Sequence, residues 1–219
     1  MIKAILFDLD GTIANTISAL RSGINLTMNA LGYPESTDAD VLAHINHGAR
    51  QLIRLSLPAE LQSDEEKVSE ALALYNEMYE KTYMETDTTY EGIPEVFGEL
   101  CARGYKLAVL SNKQDKFVVR LCEQLLPAGS YVVARGQREG VPTKPDPTAP
   151  LELAAMLGAD PSECAFVGDT HVDVMTAKNA GMLAVGVSWG YRPREVLEEA
   201  GAEVIVDRVP ELLDVFSCR

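Results

Sequence analysis

From residue 93 onward the sequence alternates between helical and strand patterns, and no other feature constrains the fold as tightly. A helical segment over 93–103 runs through Gly104 into an apolar strand over 106–110, and a helix over 116–125 precedes a short strand over 131–134. Asp146, Pro147 and Thr148 each offer a start for a helix reaching residue 157. A strand over 164–167, a helix ending at Ala180 and strands over 183–187 and 204–206 follow. Strands joined through helices make a parallel sheet whose two faces the helices cover. The expected class is α/β, with a Rossmann-like parallel core.

The N-terminal stretch adds the strand that the rest of the chain serves. Residues 4–7, Ala-Ile-Leu-Phe, form an apolar run as long as a fully buried strand, and the run stops abruptly at Asp8, Asp10 and Gly11. Two carboxylates therefore stand at the mouth of the sheet. A single Asp at such a place can equally cap a helix or form a turn, but the whole Asp-x-Asp-Gly-Thr pattern of residues 8–12 is much harder to meet by chance.

Between that strand and the alternating region the pattern is helical. Ile17, Leu20, Ile24, Leu26, Met28 and Leu31 recur at roughly helical spacing, and Gly32 with Pro34 closes the segment. Helical patterns continue over 41–57 and 64–84, where Val68, Ala71, Leu72, Tyr75, Met78 and Tyr79 make an amphipathic stripe. So long a helical run, with no strand signal before Tyr90, reads as an insertion rather than one crossover, with residues 86–92 as its return hinge. The expected organisation is a core of residues 1–14 and 91–219 and an inserted α-helical cap of residues 15–90.

With 219 residues, 47% of them hydrophobic, the chain can bury a sizeable core and a smaller second one. Its net charge of −14 argues against a nucleic-acid groove or an anionic membrane surface, since either polyanion would be repelled. An anionic substrate would have to be small and locally neutralised. Cys101, Cys122, Cys164 and Cys218 form no C-x-x-C pair, which suits reduced thiols. The first apolar run, broken at Asp8, is too short for a signal segment or a membrane span, so a soluble cytoplasmic protein is expected.

In an open parallel sheet, ligands bind beyond the carboxyl ends of the strands, near a switch in strand order. Asp8 and Asp10 follow the first strand, Ser111 the second, Lys144 lies on the loop after the third, and Asp169 and Asp173 follow the fourth. Grouped carboxylates repel unless a cation compensates, and oxygen ligands without His or Cys suit a hard ion such as Mg²⁺. A metal, a lysine, a hydroxyl and loop amides are what phosphoryl transfer requires.

With these residues in place the chain resembles the haloacid dehalogenase superfamily, in its phosphoglycolate phosphatase-like branch with a helical cap. The likeness is carried, in the family's order, by Asp8-Leu-Asp-Gly-Thr12, Ser111-Asn-Lys113, Lys144-Pro-Asp-Pro147 and Gly168-Asp-Thr-His-Val-Asp173, and it extends to Ala180-Gly181-Met182 and Trp189-Gly190-Tyr191. It implies that Asp8 is the nucleophile of an aspartyl-phosphate and Asp10 the general acid and base. It also implies that Mg²⁺ sits on the Asp8 carboxylate, the Asp10 backbone carbonyl and Asp169, with Asp173 holding its waters. Ser111, with Asn112 and Lys113, would bind the substrate, and Lys144 would offset the charge of Asp8 and the phosphate. A carboxylate at Asp10 favours oxygen-ester or anhydride hydrolysis over dehalogenation.

The cap would choose the leaving group. His44, His47, Gly48 and Arg50 match the neighbourhood of the family's specificity loop, although Ile45-Asn-His-Gly48 lacks an expected second glycine. Arg50 can grip a substrate carboxylate in a bidentate fork or be an ordinary exposed helix arginine. Asn15 replaces a usual Asp, Arg135-Gly136-Gln137 lacks a usual acid, and Trp189 and Tyr191 read as packing at the core edge. The expected activity is a Mg²⁺-dependent phosphatase for a small phosphorylated metabolite, 2-phosphoglycolate first. A pyrophosphatase or nucleotidase of the same branch, a sugar phosphomutase and a silent phosphate-binding protein are the alternatives, as a monomer or homodimer.

Overall fold

The computed structural model describes residues 1–83 and 88–217. The chain divides into two compact units, one of Met1–Asn15 with Thr89–Arg219 and the other Thr16–Thr88. The first unit begins with β1 (Ala4–Phe7), whose side chains are all buried, and the chain leaves it on β2 (Ala14–Asn15).

The second unit is helical. It comprises α1 (Ile17–Leu31), α2 (Asp38–His44), α3 (Gly48–Ser56) and α4 (Glu65–Thr82), after which the chain passes through β3 (Thr88–Thr89). Ile24, Met28, Val68, Tyr75 and Tyr79 supply its buried side chains, with the Tyr75 and Tyr79 rings stacked at 5.3 Å. Thr37 starts α2 with a capping box shared with Asp40, and Asp64 starts α4 by accepting from Glu66 N and Lys67 N. The continuous helix expected over 41–57 is instead two helices. Asn46 adopts a φ of 81° between them, a left-handed conformation that a helix cannot propagate through and that Asn tolerates better than most residues.

The first unit resumes with α5 (Ile93–Ala102), β4 (Lys106–Gln114), α6 (Asp115–Leu125), β5 (Val133–Gln137) and α7 (Thr148–Leu157). It continues with β6 (Cys164–Gly168), α8 (His171–Ala180), β7 (Leu183–Val187), α9 (Arg194–Ala200), β8 (Val204–Val206) and α10 (Leu212–Val215). Six strands form one parallel sheet in the order β5-β4-β1-β6-β7-β8. β1 is flanked by β4 and β6, with Phe7 opposite Val109 on one side and Val167 on the other. The chain builds outward from β1 first to one side and then to the other, so the switch in strand order falls where Asp8 emerges.

Two strand ends differ from the sequence expectation. β4 does not stop at Leu110 but carries Ser111, Asn112 and Lys113 within the strand, because after an irregularity its pairing with β5 resumes at Gln114 opposite Gln137. The same pairing displaces β5 from 131–134 to Val133–Gln137. Cys101, Cys122 and Cys164 are free thiols, and Cys218 lies outside the described residues, as do parts of the expected hinge and the end of the expected 64–84 helix. Among the described residues, no helix is long and apolar enough to cross a membrane.

Candidate active site

Sheet hydrogen bonding continues one residue past β1, where Asp8 N donates to the Val167 carbonyl at 2.9 Å. The Leu9 carbonyl then gathers the N–H groups of Thr12, Ile13 and Ala14, which folds residues 9–14 into a compact turn. Asp8 is thereby held beneath the turn, buried, while Asp10 stands at its side.

Lys144 bridges two carboxylates. Its Nζ lies 2.8 Å from Asp8 Oδ1 and 2.7 Å from Asp173 Oδ1, and all three side chains are buried. Its backbone is clamped by Asn112, whose side-chain Nδ2 donates to the Lys144 carbonyl at 3.1 Å and whose Oδ1 accepts from Lys144 N at 2.8 Å. Asn112, expected to bind substrate, thus spends its amide on the loop that carries the lysine. Asp173 is oriented as the third residue of α8, where its Oδ2 accepts from Thr170 N at 3.0 Å and from Thr170 Oγ1 at 2.7 Å in a capping box.

Asp169 follows β6 and is fully buried. Thr12 Oγ1 donates to its Oδ1 at 3.1 Å and Tyr191 N to its Oδ2 at 2.7 Å. Asp10 faces the end of β4, where Lys113 Nζ is 2.8 Å from its Oδ1 and Ser111 Oγ donates to its Oδ2 at 3.2 Å. Lys113 therefore holds the Asp10 carboxylate. In the helical unit Arg50 Nη2 already donates to Glu65 Oε2 at 2.6 Å and to Ser69 Oγ at 3.1 Å.

The four predicted acidic residues divide three to one. Carboxylate oxygens of Asp8, Asp169 and Asp173 lie within 4.8 Å of one another, whereas the Asp10 side chain is paired with Lys113. Burial, then Asp173, pushes Asp8 well above the ordinary carboxylate range against the pull of Lys144. Burial and then Asp173 likewise push Asp169 up to about 7, against the hydrogen bonds from Tyr191 and Thr12. Burial alone would lower Lys144, but Asp173 and Asp8 outweigh it and hold the ammonium above its usual value.

One lysine against three buried carboxylates leaves the cluster short of positive charge. Asp8 Oδ1 also accepts no well-directed hydrogen bond in spite of its nearness to Lys144. A hard divalent cation fits this set, because the donors are all oxygen and a second source of positive charge is what they lack.

A divalent cation bound to these carboxylates would stabilise the fold in a pH-dependent way. Asp169 holds its proton more tightly in the folded protein than in the unfolded chain, so the metal-free fold loses stability as pH rises from about 4 to about 7. Mg²⁺ would replace the protons. In thermal melts, Mg²⁺ at a hundredfold excess over its Kd should stabilise by about 2.7 kcal/mol, or about 5–10 °C. At one fixed Mg²⁺ concentration, set at a hundredfold excess for pH 8, the increment should be smaller at pH 6, where protons compete for the same carboxylates; an equal increment at both would mean the ion binds away from them.

Comparison with known proteins settles the lineage. The haloacid dehalogenase-like hydrolase family matches residues 5–187, which include every one of these acidic residues and Lys144. This chain belongs to that family. It is 29% identical over 214 residues to Phosphoglycolate phosphatase 1 of Pseudomonas aeruginosa, a match covering 96% of this chain and 78% of that protein. It is 31% identical over 218 residues to the phosphoglycolate phosphatase of Vibrio vulnificus, covering 98% and 96%. The crystal structure of a predicted phosphoglycolate phosphatase from Haemophilus somnus matches with a TM-score of 0.90 at 25% identity over 98% of this chain and 97% of the other. The haloacid dehalogenase-like chain is therefore an enzyme of the phosphatase branch.

Two residue roles escaped the sequence reading. Thr12 and Tyr191 belong to motifs the sequence singles out, but nothing there marks the Thr12 hydroxyl and the Tyr191 amide as the two donors to Asp169. The available signal was the pair of glycines, Gly11 and Gly190, that directly precede them.

Proposed function

We propose that this enzyme hydrolyses a small phosphorylated metabolite, 2-phosphoglycolate first, with Mg²⁺ and through an aspartyl-phosphate on Asp8. The reading is carried by one observation: a buried Asp8 at the carboxyl end of β1, beside Lys144 and within 4.8 Å of two further carboxylates. The similarity to phosphoglycolate phosphatases supports the choice of first substrate. Mg²⁺ would be held by the Asp8 and Asp169 carboxylates and the Asp10 carbonyl, with Asp173 on its waters, and would supply charge neutralisation to the phosphoryl group.

An Asp8 carboxylate oxygen attacks phosphorus, and the bond from phosphorus to the leaving oxygen breaks. Asp10 gives that oxygen its proton, the leaving group departs as the neutral alcohol, and Asp10 is left as the carboxylate. Water then attacks the phosphorus of the aspartyl-phosphate, Asp10 takes its proton, the Asp8–phosphorus bond breaks and inorganic phosphate leaves. Lys144 balances the charge on Asp8 and the phosphoryl oxygens, and Ser111 Oγ turns from Asp10 to donate to one of them. Lys113 keeps the Asp10 carboxylate in place between its two proton transfers. Arg50 holds the Glu65 carboxylate in the helical unit, so it would read a substrate carboxylate by exchange for that partner.

Phosphate release with and without Mg²⁺ tests the reading across 2-phosphoglycolate, pyrophosphate, nucleoside monophosphates and hexose phosphates, with Asp8→Asn as the blank. A metal-dependent rate absent from the blank supports the mechanism, and the preferred substrate identifies what the helical unit selects. Folded, Mg²⁺-binding protein that turns over none of them would overturn the proposal.

A further inference from the structure

Trp189, Gly190 and Tyr191 directly follow β7 and its next residue, and they close on the loop after β1 from the far side of Asp169. Tyr191 N takes one Asp169 oxygen and Thr12 Oγ1 the other. Trp189 Nε1 in turn donates to the Thr12 carbonyl at 3.1 Å, so the indole pins the residue that grips the carboxylate. The indole is itself backed by the Tyr90 ring at 6.5 Å, and Tyr90 N donates to the Ile13 carbonyl, next to Thr12, at 3.0 Å.

The closeness of the two loops is enforced by what they lack. A Cβ on Gly190 would stand 2.3 Å from Asp169 Cβ and 2.4 Å from both Asp169 Oδ2 and the Gly11 carbonyl. A Cβ on Gly11, whose φ is +91°, would stand 2.3 Å from Asp169 Oδ2 and 2.8 Å from the Tyr191 ring. Real Cβ atoms do not approach so near, so a side chain at either place forces the carboxylate or a backbone to move. Both donors to Asp169 are neutral, and each occupies one lone-pair direction of one oxygen. The carboxylate is thereby oriented without being neutralised, unlike Asp173, which has Lys144 on one oxygen.

We propose that residues 189–191 are a positioning element that fixes Asp169 as a ligand for the divalent cation, with Gly190 permitting the approach and Trp189 locking it. The inference rests on the Mg²⁺ reading above. Outer partners of metal ligands commonly set affinity by 10–100-fold, because they fix the ligand before the ion arrives.

Calorimetric titration of the whole protein with MgCl₂ tests it on four forms: the parent chain, Gly190→Ala, Trp189→Phe and Gly98→Ala. The last is a control in α5, where an added Cβ meets nothing within 4 Å. Gly190→Ala should weaken Mg²⁺ binding about 10–100-fold. Trp189→Phe, which keeps an aromatic ring but loses the N–H to Thr12, should weaken it roughly 2–10-fold. Gly98→Ala should bind as the parent does, and metal-free melts of the two test variants should stay cooperative, which separates positioning from general damage. Unchanged affinity in folded Gly190→Ala overturns the proposal; if that variant does not fold, unchanged affinity in Trp189→Phe overturns it. A parent protein that takes up no Mg²⁺ rejects the metal reading itself, and with it this inference.

Discussion

Lys144→Met, melted without metal at pH 8, should lose about 3–5 kcal/mol, the usual cost of removing one partner from a buried ion pair. For a chain of this size that is a fall of about 6–20 °C in Tm. Methionine fills a similar volume, so lost packing contributes little; what remains is Asp8 and Asp173 buried without their shared cation. The pH dependence identifies the cause. With the lysine gone, Asp8 and its neighbours relieve the repulsion by binding protons, so the deficit should shrink as pH falls from 8 toward 5. Lys144 itself does not titrate there, because its raised pKa keeps its stabilising charge in place through neutral pH and loses it only in strong alkali. Adding Asp8→Asn should recover part of the loss, since one of the stranded charges is removed. A deficit that is the same at pH 5 and pH 8 would trace the effect to packing instead. Phosphate release should disappear in Lys144→Met at either pH.

Asp8→Asn should separate activity from stability in opposite directions. Removing the proposed nucleophile should lower phosphate release by about 10⁴-fold or more, because the proposed two-step route is closed. The metal-free protein should nevertheless melt at the same temperature or a few degrees higher. Burial and the charges of Asp173 and Asp169 make an ionised Asp8 unfavourable in the folded protein, and a neutral amide removes that repulsion. The gain should be present at pH 8 and fade at acid pH, where Asp8 is itself protonated. Mg²⁺ should stabilise this variant less than the parent, since one of its proposed ligands has become an amide. A variant that melts well below the parent at pH 8 would show that Lys144 depends on Asp8 more than on Asp173.

The parallel core was legible because its determinants are local. The apolar run over β1 and those over β6 and β7 are too short to be helices, and each ends in glycine or a polar group where the strand ends. The acidic residues could be assigned to one edge because parallel strands must all end on the same side. Helices α1 and α4 were legible from their stripes, whereas the break at Asn46 was not, since a single left-handed residue leaves the apolar spacing on either side intact.

The order of residues along the chain by itself determined the α/β class, the helical insertion, and the gathering of Asp8, Asp10, Ser111, Lys144, Asp169 and Asp173 at one edge of the sheet. Only the tertiary structure decided which of them touch. Lys113 sits on Asp10 across 103 positions, and Trp189 pins Thr12 across 177. Asn112 clamps the Lys144 backbone, although nothing in its neighbours distinguishes it from a residue that meets substrate. Periodicity specifies the face or edge a residue occupies over a few turns or strands. Partners at such separations are set by how the strands register and how closely two loops can approach, and at Asp169 that approach depends on the absence of a Cβ at Gly11 and Gly190.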